Sequence, residues 1–185
     1  MTEREQKCIE AYRRHEHLGL AAEELGMKWQ TLYWVLKKVG EPVKGNKSKH
    51  GSDKDKFAAL AEAFFKQHVP FAKDMNKRDF QPKCDFECYG SYVEVKAAKP
   101  SPDLRNWCFS TRKQAYDADY FVCFGYSKED FNLEACFIFP AEIVGGMQTL
   151  RVGRDADGKP KGKWSPFEVS VSDLAEFFSN LREAA

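Results

Sequence analysis

The sequence predicts an α/β protein, a larger domain of strands and helices preceded by a small all-α module. Three observations predict this. Apolar residues recur at helical spacing through the first forty residues. A lysine-rich segment without apolar periodicity follows. From Lys54 onward, helical stripes are interleaved with short runs of strand length, some alternating and some wholly apolar. With 185 residues, the chain holds one ordinary domain plus a small extra module. A hydrophobic share of 43% and a charged share of 31% belong to a folded, soluble chain and exclude a disordered one.

In the front module, a helix over about Thr2–His15 offers Cys8, Ile9, Ala11 and Tyr12 to a three-helix core. A second, shorter helix uses Leu20, Ala21 and Leu25 as its inner face and closes at Gly26. Leu32, Val35, Leu36 and Val39 then mark a third, which Gly40 and Pro42 end. The stretch AAEELGMKWQTLYWVLKK resembles the helix-turn-helix of DNA-binding proteins. That resemblance implies that the later helix enters the major groove of double-stranded DNA. Lys28, Trp29, Gln30, Thr31, Tyr33 and Trp34 would lie on or near it, with Gln30 and Thr31 as base readers and Lys37 and Lys38 on phosphates. A helical packing or dimerisation module without DNA is the alternative, with Tyr33 and Trp34 as core or interface aromatics.

The segment GEPVKGNKSKHGSDKDK reads as a flexible linker. This divides the chain into a module at 1–40, a basic linker at 41–53 and a second domain at 54–185. Net charge is only +1 and argues neither for nor against nucleic acid. Its distribution says more: Lys37 to Lys56 holds seven lysines against three acids, and GKPKGKW at 158–164 is basic again.

The second domain opens with a helix ending near His68, its stripe made by Phe57, Leu60, Ala61 and Phe64. FQPKCDFEC and YVEVKAAK then read as paired strands about a turn at Tyr89-Gly90. A two-residue loop pairs Cys88 with Ser91, Glu87 with Tyr92 and Asp85 with Glu94. Because side chains two apart share a face, Asp85, Glu94 and Lys96 converge on one side, and Cys84, Phe86, Val93 and Val95 go to the core. A four-residue loop preserves that parity and a three-residue loop breaks it. Facing carboxylates repel, and a divalent cation relieves this more than a lysine does. Hard oxygen ligands on rigid strands suit Mg²⁺, with Mn²⁺ as its substitute. The bland alternative is a cross-strand ion pair on a polar sheet face.

Asp85 followed, after eight residues, by Glu94-Val95-Lys96 resembles the D…ExK signature of the PD-(D/E)XK nuclease superfamily, which includes many restriction endonucleases. The order of elements adds to the likeness. After the helix and hairpin come a strand at Trp107–Phe109, a helix with Ser110 as N-cap, and a buried strand at Tyr120–Phe124. The resemblance spans about Lys54 to Pro140. It implies a restriction endonuclease-like mixed sheet flanked by helices, with Mg²⁺ held by Asp85, Glu94 and the Val95 carbonyl. Lys96 would orient or deprotonate the attacking water. One departure is Pro82, which stands three residues before Asp85 instead of beside it. Family members often carry an acid on the leading helix, which points to Glu62, although five positions from Phe57 sets it about 140° around the wheel. Arg112 and Lys113 are candidate phosphate contacts, and Gln114 a candidate for positioning water.

The rest extends the sheet: a strand at Ala135–Phe139, a short helix after Pro140, two strands about Asp157-Gly158, and a closing helix near Ser172–Arg182. The six cysteines read as reduced thiols, and the spacing of Cys84 and Cys88 is wrong for a zinc knuckle. No apolar run reaches the ~18 residues of a membrane span and no secretory signal opens the chain, so a cytoplasmic location is expected. The combined reading is a Mg²⁺-dependent DNA endonuclease targeted by the front module and acting on double-stranded DNA as a homodimer. A DNA-binding regulator without catalysis and a structure-specific nuclease such as a junction resolvase remain the alternatives.

Overall fold

The computed structural model describes residues 1–44, 46–77, 84–103, 105–111, 117–144 and 146–184. The chain divides into two units, Met1–Lys56 with Met75–Pro82 and Phe57–Asp74 with Lys83–Ala185.

In the first unit, Thr2 starts α1 (Glu3–His15) through a reciprocal cap: its hydroxyl accepts from the Glu5 amide at 3.2 Å, and Glu5 accepts from the Thr2 amide at 2.7 Å. His17 caps α2 (Leu18–Glu24), its Nδ1 accepting the Leu20 amide at 3.1 Å. After Gly26, at φ 62°, the chain turns into α3 (Trp29–Lys38). Cys8, Ile9, Ala11, Tyr12, Ala21, Ala22, Leu32 and Leu36 form one core. The inner face of α2 differs from the expected one. Leu18, Ala21, Ala22 and Leu25 pack inward at helical spacing, and Leu20 is exposed because it lies off that stripe.

The expected linker is not free chain. Val43 is buried in the helical core, and the Tyr12 hydroxyl accepts the Lys44 amide at 2.8 Å while donating to the Lys44 carbonyl at 3.1 Å. Arg13 grips Glu41 through two bonds of 2.7 Å. Lys47–His50 coil into a short helix, α4, and His50 Nε2 meets the His15 carbonyl at 3.1 Å. One apolar residue in a polar run, with a tyrosine placed to satisfy its backbone, is enough to dock the segment.

The second unit is mixed α/β, as expected. A five-stranded sheet has the order β1-β2-β3-β5-β6, from β1 (Lys73–Asp74), β2 (Phe86–Cys88), β3 (Ser91–Ala98), β5 (Tyr120–Tyr126) and β6 (Leu133–Pro140). β3 and β5 run parallel and the other neighbours antiparallel. One face is covered by α5 (Asp53–His68) and α7 (Leu174–Ala184): Ala61, Phe65, Leu174 and Phe178 pack on Phe86, Val93, Val95, Val122 and Phe124.

The opposite face carries a second, three-stranded sheet, β4 (Asn106–Ser110), β7 (Thr149–Arg154) and β8 (Pro160–Lys161), with the short helix α6 (Ala141–Val144). Trp107, Phe109, Leu150 and Val152 meet Phe121, Cys123, Phe137 and Phe139 there. This corrects two expectations. The strand at 106–110 leaves the main sheet, and Ser110 is not a helix N-cap but the last residue of β4, opposite Thr149. Its alternating burial, with Trp107 and Phe109 inward, fits a strand with a single covered face. The helix expected after Ser110 lies outside the described residues. The strand at 133–140, the short helix behind it and the Gly158 turn between β7 and β8 stand where expected.

Gly125 lets the two sheets approach. A Cβ there would lie 2.7 Å from Trp107 Cε2, and the Trp107 indole donates to the Tyr126 carbonyl at 3.1 Å. All cysteines are free thiols, buried except Cys108. No helix among the described residues is long and apolar enough to cross a membrane.

Candidate active site

The hairpin turns through two residues, Tyr89 and Gly90, both at positive φ (48° and 91°). That pairing of dihedral signs belongs to the tight turns whose twist matches the flanking strands. It sets the register: Cys88 opposite Ser91, Glu87 opposite Tyr92, Phe86 opposite Val93. One step further, beyond the end of β2, the same register would set Asp85 opposite Glu94. Phe86, Val93 and Val95 join the helix-covered core, so Glu94 and Lys96 take the other face, where the Cys123 thiol feels both.

Asp85 is 6% exposed and Glu94 4%, which makes them buried charges. Such groups cost several kcal/mol each unless compensated. Two compensations are visible. The Lys96 ammonium donates to Glu94 Oε1, two residues along the same strand face. Asp85 Oδ2 accepts the Val95 amide at 2.9 Å. The continued register would give that amide a backbone carbonyl of Cys84, but β2 has ended, and the side chain takes over the ladder position. Cys84 itself, expected in the core, is buried but belongs to neither apolar cluster of this unit. Its thiol is pushed up to about 11, first by burial, then by Glu94, Asp85, Glu87 and Asp117. That thiol reports a locally negative field.

Glu87 is drawn off to Lys73 at 2.7 Å. Asp85, Glu94 and Lys96 together keep a formal charge of −1. Two carboxylates and a strand-edge carbonyl are a hard-oxygen donor set. Among the described residues no group of three or more His, Cys, Asp or Glu side chains is gathered as a metal cluster.

No family model matches the chain, and no curated protein matches it. Among solved structures, it is similar to a bacterial homing endonuclease, with a TM-score of 0.45 and 17% identity over 71% of this chain and 96% of that one.

Glu62 sits half-buried on α5, the helix that covers the face opposite to Glu94 and Lys96. Arg112, Lys113 and Gln114 lie outside the described residues. Two acids missed by sequence reasoning lie before β5. Asp117 acts on the Cys84 thiol, and Asp119 accepts the Tyr92 amide at 2.7 Å. The signal was the run Asp117-Ala-Asp119 just ahead of a strand that pairs with β3.

In the first unit, Lys28, Trp29, Gln30, Thr31, Trp34 and Lys37 lie exposed on α3 or at its start, with Trp34 at 68%. Lys38 reaches Glu5 at 3.0 Å. Tyr33 is half-buried and packs against the helical core, its ring edge-on to Trp34 at 5.7 Å, so it faces inward more than the other candidates.

Proposed function

We propose that the chain is a metal-dependent endonuclease that hydrolyses phosphodiester bonds in DNA, the chemistry of the PD-(D/E)XK nucleases. What supports this reading is a buried Asp85 bound to the Val95 amide next to a buried Glu94 bound by Lys96, all on or beside one hairpin. Asp85 and Glu94 would hold Mg²⁺ or Mn²⁺ together with the Val95 carbonyl. The hydrogen bond that the Val95 N–H donates to Asp85 Oδ2 is compatible with this, because a carboxylate has about four lone-pair sites. In an extended strand the carbonyl of a residue points to the same edge as its amide, here the edge where Asp85 lies. When bound, the cation would polarise the phosphoryl oxygen and lower the pKa of a water. Lys96 orients that water and offsets charge on the phosphate, and its bond to Glu94 fixes its ammonium for the task. Glu62 is not part of this proposal.

The first unit supplies DNA affinity in this reading. Lys28, Gln30, Thr31 and Lys37 on the outer face of α3 contact the duplex in the manner of a helix-turn-helix, and the covalent link raises the effective concentration of the catalytic unit. Cutting both strands requires two such sites, which a homodimer provides.

Nicking of supercoiled plasmid in Mg²⁺, compared with EDTA and with Lys96→Ala, tests the reading. Wild type nicks only with the metal and the variant does not. Equal inertness of both proteins, with both still shifting a duplex probe, would instead identify a DNA-binding regulator. Faster cutting of four-way junctions than of linear duplex would identify a resolvase.

A further inference from the structure

Tyr92 stands on the same face of β3 as Glu94 and Lys96, about 6.6 Å before Glu94 along the strand. It is 45% exposed. Its backbone is held at both polar atoms: Asp119 Oδ2 accepts its amide at 2.7 Å, and its carbonyl accepts the Asp119 amide at 2.8 Å. The ring therefore projects from fixed backbone. Among the described residues no ring stacks on it and no hydrogen bond reaches its hydroxyl. Tyr89, at the hairpin turn, differs: its ring lies 5.1 Å from Phe71, with the Arg182 guanidinium 5.8 Å from its centre.

An exposed, pinned aromatic beside a phosphate-hydrolysing pair has one natural partner on a nucleic acid, the π-face of a base. Stacking of that kind tolerates any sequence, because every base has such a face. In a duplex the faces are already covered by neighbours about 3.4 Å away. A ring can stack only on a base that has left the helix or never entered it. We propose that Tyr92 stacks on an unpaired base flanking the scissile phosphodiester, so that the preferred substrate is DNA with a single-stranded nucleotide at the cleavage position. This rests on the nuclease reading, but its test does not depend on turnover.

The experiment measures binding of the full chain, in EDTA, to a short single-stranded oligonucleotide carrying 2-aminopurine and to its duplex form. Stacking is read as loss of fluorescence. Wild type and Tyr92→Phe bind and quench the single strand within about twofold of each other. Tyr92→Leu, which keeps apolar bulk on the strand, binds it about tenfold more weakly. Duplex binding is the same for all three. Equal quenching by Tyr92→Leu and wild type overturns the proposal, as does failure of wild type to bind the single strand. Nicking of plasmid in Mg²⁺ is scored separately. A chain that stacks but never cuts keeps Tyr92 as a base-stacking residue and loses the nuclease reading, and with it the placement beside a scissile phosphodiester.

Discussion

The carboxylate of Asp85 accepts the backbone amide of Val95 at 2.9 Å, so one side chain completes the edge of a β-ladder at the residue next to Glu94 and Lys96 in sequence, which are themselves paired. A structural bond and a candidate metal ligand share one residue, which makes the two roles separable by mutation.

Asp85→Asn keeps an oxygen for the Val95 amide but removes the charge. Its stability is expected within about 1 kcal/mol of wild type, while nicking in Mg²⁺ is lost. Asp85→Ala strands a buried amide and costs a further ~1–3 kcal/mol. Urea unfolding and the plasmid assay, run on both variants, check this. On the proposed reading, added Mg²⁺ raises the melting temperature of wild type and not of Asp85→Asn.

Lys96→Ala removes an ammonium donor from buried Glu94. The expected loss is about 3 kcal/mol in urea unfolding, together with a drop in cleavage of about 10²-fold or more. The double variant Glu94→Gln/Lys96→Met removes both charges and recovers part of the stability but none of the cleavage. If Lys96→Ala unfolds at the wild-type urea concentration, the pair carries no buried-charge energy.

Gly125→Ala drives a methyl group into the Trp107 ring. With 2.7 Å available to Cε2, either the strand or the indole shifts, and the expected cost is about 1–3 kcal/mol. Near-ultraviolet circular dichroism follows the indole, and urea unfolding gives the energy. An unchanged Trp107 signal with unchanged stability would mean that the sheets separate freely.

Glu5 gives the first unit a pH dependence. Its carboxyl is held down to about 2 from an ordinary 4.5, chiefly by the Thr2 amide and then by Lys38. A depressed carboxylate stabilises the folded state fully above its unfolded value and loses that contribution as pH falls through the folded one. The stability difference between wild type and Glu5→Gln is therefore constant above about pH 5.5 and shrinks towards zero near pH 2. Helical circular dichroism during urea unfolding at stepped pH reads it. A difference that stays flat to pH 2 contradicts the cap.

The hairpin register was legible because it rests on local rules: a two-residue turn at Tyr89-Gly90 and a period of two on either side. The helices of the first unit, the strand at 133–140 and the buried face of α7 were legible for the same reason. Other features depended on what lies across the chain. Leu20 looks inward on a wheel, but α1 and α3 meet the adjoining stripe. The segment at 41–53 looks unstructured until Tyr12, thirty-two residues before Lys44, offers its hydroxyl.

By itself the sequence determined where most helices and strands lie, most of their apolar faces, and the two-residue hairpin whose second strand carries Glu94 and Lys96. Only the tertiary structure decided that β4 leaves the main sheet, that α5 lies on the side away from Glu94, and that Asp85 holds the Val95 amide. The reason is physical. Periodicity reports which side of an element is turned from water, whereas the partner that covers that side is chosen by packing among residues far apart in the chain.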